Sequence, residues 1–184
     1  MKFIATLLFL FTLSARAQEF PKQFTGNWKG ELLWYQVGKK EPQKVAMELH
    51  IHPADTINQY TWQLAYGKPG EDMRPYILKP VDTAKGHWVI DERNGIVLDQ
   101  YWIGGKFCSA FTVKTSTITD CYWIEGGKMH IEFITTAAKP INTTGGSTKD
   151  IPPVDSYAVK SYQKAILTRV KKVGSIPLQK SKHK

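Results

Sequence analysis

Along most of this chain apolar and polar residues alternate, and the alternation breaks at glycine, proline and asparagine instead of giving way to a helical period. In residues 26–36 (GNWKGELLWYQ) the positions Gly26, Trp28, Gly30 and Trp34 share one parity, so a strand sets all four on one face. A short polar turn, VGKKEPQ, leads to a second strand at 44–52 (KVAMELHIH). Residues 60–67 place Tyr60, Trp62, Leu64 and Tyr66 on one side. Residues 74–80 (RPYILKP) are bounded by prolines and are expected as an edge or irregular strand. Between 86 and 136, Asn94-Gly95, Gly104-Gly105 and Gly126-Gly127 each read as a two-residue hairpin turn, with one more reversal at Lys114-Thr115. Residues 137–156 form a linker of proline, glycine and threonine, long enough to act as a lid or mobile loop. Residues 157–170 return to β-branched and aromatic content and read as a last strand. The sum is an all-β chain with little helix: an antiparallel up-and-down meander of about ten strands that can close into a barrel.

The turns also predict a register. If each closes its hairpin directly, one row across the sheet is His87, Trp102, Phe107, Tyr122 and Ile131. The next row on that face is Val89, Gln100, Ser109, Asp120 and Phe133, and the one beyond is Asp91, Leu98, Phe111, Ile118 and Thr135. Apolar content barely separates the two faces, so charge decides. This face carries Asp91, Arg93 and Asp120, whereas the other carries Glu92, Asp99, Lys106, Glu125, Lys128 and Glu132. The first face is therefore expected inside, and a slip of one residue would invert that assignment.

The N-terminus has a different character. Lys2, an apolar run from Phe3 to Leu13 and the small-x-small sequence Ala15-Arg16-Ala17 form a secretory leader, cleaved after Ala17. The run is short of the roughly 20 residues of a transmembrane helix, an uncleaved anchor being the alternative. The mature protein is then expected in the periplasm or outside the cell, with residues 18–170 as one barrel domain. The formal charge of +9 is unevenly spread. Lys2 and Arg16 belong to the leader, and Lys171, Lys172, Lys180, Lys182 and Lys184 to an acid-free tail at 171–184. The body is left nearly neutral, which argues against a nucleic-acid groove. The tail reads as a solvated, frayed end that anionic surfaces can attract.

Cys108 and Cys121 are the only cysteines, and the register sets them opposite one another at a non-hydrogen-bonded position. Together with export this points to a disulfide pinning one hairpin, with buried free thiols as the alternative.

Gly26-x-Trp28 on a first strand, a meander of about ten strands and Arg169 near the end of the last strand resemble the calycin superfamily of lipocalins, fatty-acid-binding proteins and nitrobindin-like barrels. The resemblance implies that Trp28 plugs one barrel end and that Arg169 packs across it. Thr119-Asp120 followed by Tyr122 is faintly similar to the lipocalin Thr-Asp-Tyr motif, with Cys121 in the aromatic place. A lipocalin has a helix before its last strand, where this chain has a proline-bearing linker. Fatty-acid-binding proteins insert two helices after the first strand, where VGKKEPQ leaves no room. The helix-poor meander is most similar to the nitrobindin-like style. Haem binding there uses a histidine late in the chain, and none stands between Ile131 and the tail residue His183, so no cofactor is carried over.

Inside such a barrel, Gln100, Ser109 and Asp120 stand on neighbouring strands, with His87, Trp102 and Tyr122 one row away. These six are the candidate ligand-binding residues: polar groups for a ligand's head and rings for its apolar body. The same groups could instead satisfy one another and fill the core. A Ser-His-Asp triad is the minor alternative: Ser109 lies nearer Asp120 than His87 and no oxyanion motif surrounds it, so no catalytic residue is assigned. Glu48, His50 and His52 share a strand face opposite Val45, Met47, Leu49 and Ile51, so they read as a solvated face and not a metal site. His130 and Glu132 also face outward. Asn142-Thr143-Thr144 is a glycosylation sequon, informative only in a host that uses it. Two functions remain: an exported barrel that binds a small, mostly apolar molecule, or a filled barrel acting as an envelope-associated interaction module.

Overall fold

The computed structural model describes residues 20–68 and 71–170. The predicted leader and basic tail lie outside those residues. A short 3-10 turn, Lys22–Phe24, precedes β1 (Gly26–Gln36), β2 (Gln43–Ile51), β3 (Tyr60–Tyr66) and β4 (Asp72–Asp82). A second 3-10 turn, Thr83–Lys85, leads to β5 (His87–Asp91), β6 (Val97–Ile103), β7 (Lys106–Val113), β8 (Ser116–Glu125) and β9 (Lys128–Ala137). Two short strands follow, β10 (Asn142–Thr144) and β11 (Val154–Ser156), before the long β12 (Val159–Val170). Ten strands form a closed antiparallel barrel in the order β1-β12-β9-β8-β7-β6-β5-β4-β3-β2, every neighbour but β9–β12 and β12–β1 being consecutive in sequence. Closure leaves no edge strand. No helix among the described residues is long and apolar enough to cross a membrane.

The glycine-pair hairpins take the predicted register. Gly104-Gly105 and Gly126-Gly127 have φ of 57° and 79°, and of 56° and 74°, the left-handed values that a two-residue turn between twisted strands requires. Trp102 accordingly pairs with Phe107, Phe107 with Tyr122, and Tyr122 with Ile131.

The first of the four hairpins departs from the expectation. Arg93 joins the turn at φ 62°, the Glu92 amide donates to the Ile96 carbonyl at 2.9 Å, and the Ile96 amide donates to Asn94 Oδ1 at 3.0 Å. Arg93, Asn94 and Gly95 therefore make a three-residue loop. The pairing slides by one, to His87 with Tyr101 and Trp88 with Gln100. Trp88 and Ile90 face inward, 6% and 4% exposed, in place of His87, Val89 and Asp91. The physical reason is burial: an indole and a branched aliphatic leave water where an imidazole and a carboxylate would otherwise have to.

Two further segments differ. The proline-bounded piece at 74–80 belongs to an eleven-residue strand paired on both sides, and the register shift between Pro80 and Asp82 absorbs the amide that Pro80 lacks. Within the predicted linker, β10 and β11 pair as a small ribbon, Thr143 opposite Asp155.

One half of the barrel is packed solid. Phe24, Trp28, Trp62 and Phe107 are fully buried. Phe20, entering from before the first strand, stacks on Trp102 at 4.9 Å and on Phe107 at 4.5 Å, and meets Trp88 edge-on at 5.2 Å. Each such ring contributes about 1.5–3 kcal/mol through burial. The wall closes tightly at Gly30, where a Cβ would stand 2.5 Å from the Ile166 carbonyl oxygen. On the outer face Cys108 and Cys121 are directly paired and joined by a disulfide, with Cα atoms 4.1 Å apart.

Candidate functional site

Above the aromatic plug the interior opens into a cavity of about 340 Å³. The strands supply its wall by simple alternation, every second side chain pointing in. Leu32 and Trp34 come from β1, Leu64 and Tyr66 from β3, and Ile118, Asp120 and Tyr122 from β8. Leu98 and Gln100 on β6, Phe111 on β7, Phe133 on β9 and Gln163 on β12 complete the circuit. Arg74, Tyr76 and Glu92 stand at the mouth.

A polar row crosses this apolar wall. The pairing of Tyr101 with Cys108 places Gln100 and Ser109 at adjacent positions, and Ser109 pairs directly with Asp120. Ser109 Oγ donates to Asp120 Oδ1 at 2.8 Å. Asp120 is 5% exposed, and burial pushes its carboxyl up to about 7, against the lowering effect of the Ser109 hydrogen bonds. Gln100 is 1% exposed, and its Oε1 has no hydrogen-bond partner; nor has the buried Nε1 of Trp34. Such groups are costly unless something in the cavity meets them.

Three phenols line the cavity, and two of them, Tyr66 and Tyr122, feel the charge of Asp120. Burial pushes Tyr66 up to about 12 and holds Tyr122 well above the ordinary phenol range, with the charge of Asp120 adding to both. Tyr76 is raised by burial and by Glu92. All three therefore present neutral hydroxyls near neutral pH. Arg74 spends its guanidinium on Asp72, donating from Nε at 3.0 Å and from Nη2 at 2.8 Å, and lies 5.0 Å above the Tyr66 ring.

The six candidate residues separate. Gln100, Asp120 and Tyr122 line the cavity, and Ser109 supports Asp120. Trp102 belongs to the plug, stacked on Phe20. His87 is corrected to the outer surface, stacked on Tyr101 at 4.7 Å with its Nε2 2.7 Å from Asp99 Oδ1. Arg74, Tyr76, Glu92 and Gln163 also line the cavity and are not among the six.

At the plugged end, Arg169 and Trp28 are paired across β12 and β1, with the guanidinium 4.4 Å from the indole centroid. Among the described residues no cluster of three or more His, Cys, Asp or Glu side chains is arranged for a metal ion. His50 Nδ1 and His52 Nε2 both meet Asn27 Oδ1, at 2.9 and 2.8 Å, and Glu48 bridges His50 and Lys29.

No protein-family model matches this chain. No curated protein matches it. Among solved structures it is similar to a protein of unknown function of the DUF3598 family from Nostoc punctiforme, with a TM-score of 0.58 and 12% identity over 81% of this chain. That match covers 48% of the other protein, so this chain spans about half its length. At such identity the likeness is one of fold.

Proposed function

We propose that this protein is an exported, calycin-like barrel that binds one small amphipathic molecule in the open half of its interior. The observation that carries the reading is the cavity itself, apolar on most sides yet furnished with the unpartnered Gln100 Oε1 and Trp34 Nε1. Both residues line the cavity, so a ligand there can supply the partners that the barrel itself does not. At about 340 Å³ the cavity falls at the low end of the roughly 300–1,000 Å³ of small-molecule sites. A compact ligand of one or two rings fits better than an extended fatty acid. Gln100, Asp120 and Tyr122 supply the polar contacts, with Ser109 holding Asp120. Trp34, Leu64 and Phe133 take the apolar body. Export is supported by the leader sequence and is compatible with the Cys108–Cys121 disulfide.

Native mass spectrometry of protein purified from its host without denaturation tests this. A stoichiometric adduct that disappears on denaturation is expected. A bare chain that also fails to take up any compact amphiphile would favour the filled-barrel interaction module.

A further inference from the structure

The chemistry of the cavity wall narrows the ligand class. Asp120 is buried, and its hydrogen-bond partners are the hydroxyl and backbone of Ser109; no basic side chain among the described residues faces it. A buried carboxylate without a cation is costly, and a ligand cation would offset that cost. Beside Ser109 on the same wall, Gln100 Oε1 is a second buried acceptor that lacks a donor. Around these acceptors stand aromatic faces. Phe133 is the cross-strand neighbour of Asp120, and Tyr122 packs against both Phe133 and Trp62. Rings beside a carboxylate form a setting that favours an organic cation.

An anionic head is poorly served. Arg74 is the one arginine in the cavity lining, and Asp72 takes its fork while Tyr66 takes its face. Glu92 adds a second carboxylate at the mouth.

We propose that the ligand carries a protonated amine on a compact apolar or aromatic body, its nitrogen meeting Asp120 and donating toward Gln100 Oε1. The proposal rests on the binding reading above. It also predicts a pH dependence. The groups that act on Asp120 are Ser109 on β7, Tyr122 on β8 and Tyr66 on β3, while Tyr76, Arg74 and Glu92 stand together at the mouth. The phenols are held neutral, so the carboxyl itself governs amine affinity between pH 5 and 8.

The test uses three ligands that share one apolar body: 1-naphthylmethylamine, 1-naphthalenemethanol and 1-naphthoic acid. Each is titrated into the wild type, Asp120→Asn and Gln100→Leu, with the fold of each variant checked by circular dichroism. At pH 8 the amine should bind about tenfold more tightly than the alcohol or the acid, and Asp120→Asn should erase that preference while the alcohol changes little. Gln100→Leu should weaken the amine several-fold. In the wild type, amine affinity should climb with pH and level off above about 7. Should Asp120→Asn fail to fold, this pH profile decides. Equal binding of amine and alcohol, a preference for the acid, or an amine affinity indifferent to pH overturns the proposal and leaves ligand binding standing. Exclusion of all three ligands, together with the neutral probe N-phenyl-1-naphthylamine, overturns both.

Discussion

Arg169 lies over the indole of Trp28, its guanidinium carbon 4.4 Å from the ring centroid, while its two terminal nitrogens donate to the carbonyls of Thr25 and Gln23 at 2.7 and 2.8 Å. Trp28 Nε1 donates in turn to the Phe24 carbonyl at 2.8 Å. The end of the last strand thereby ties down the segment that carries Phe20 and Phe24 into the plug. Trp28→Ala is expected to cost roughly 3–5 kcal/mol and Arg169→Ala less. In a denaturant cycle the double mutant should lose about 0.5–2 kcal/mol less than the sum of the single mutants. Strict additivity would mean that the contact carries no energy.

The wall at Gly30 gives a sharper test of packing. A methyl group there meets the Ile166 carbonyl oxygen at 2.5 Å and Leu167 Cδ2 at 2.9 Å. The first of these is backbone and cannot swing aside. Gly30→Ala should destabilise the barrel by about 1–3 kcal/mol, read as a lower urea midpoint at unchanged slope. An unchanged midpoint would show that β1 and β12 stand further apart.

The disulfide makes a prediction about chemistry and a modest one about stability. Under non-reducing denaturation the oxidised protein should take up no maleimide. The bond spans a separation of 13 residues, so replacing both cysteines by serine should cost at most about 3 kcal/mol and leave the fold intact. Full labelling of both thiols would remove the pairing.

Asp120 should leave a signature in stability against pH. Its carboxyl is raised from 3.8 to about 7 in the folded state. The sign follows from linkage: its contribution is fully present below about pH 4 and is lost as pH rises through about 7. Relative to Asp120→Asn, which keeps an oxygen acceptor for Ser109, the wild type should lose up to about 1.4 kcal/mol per pH unit across that window and then level off. Parallel stability curves for the two proteins would show that Asp120 is well hydrated.

Much of this fold was legible from two-residue turns, because a Gly-Gly pair at positive φ leaves a hairpin little choice of register. Gln100, Ser109 and Asp120 were placed on one wall from Gly104-Gly105 and Lys114-Thr115 alone. Asn94-Gly95 misled because Arg93 also turns left-handed, and that single extra residue moved His87 from the inside to the outside. The plug was only half visible. Trp28 announced itself by parity, whereas Phe20 and Phe24 precede the first strand and their ring partners lie on strands far away in sequence. Arg74 was not legible because its proline-bounded stretch reads as an edge or irregular strand, to which no inward face is assigned. Its charge is met locally by Asp72 and its apolar stem and flat face cover Tyr66, which lets an arginine line a cavity.

The measurement that bears most directly on the central claim is a fluorescence titration with the neutral two-ring probe 6-propionyl-2-dimethylaminonaphthalene, run in parallel on the wild type and on Leu98→Trp, whose added indole would occupy the cavity. A saturable one-to-one rise in probe emission is expected for the wild type, and its loss in a Leu98→Trp protein that melts no earlier. Equal uptake by both proteins, or none by the wild type, would contradict a ligand site inside the barrel.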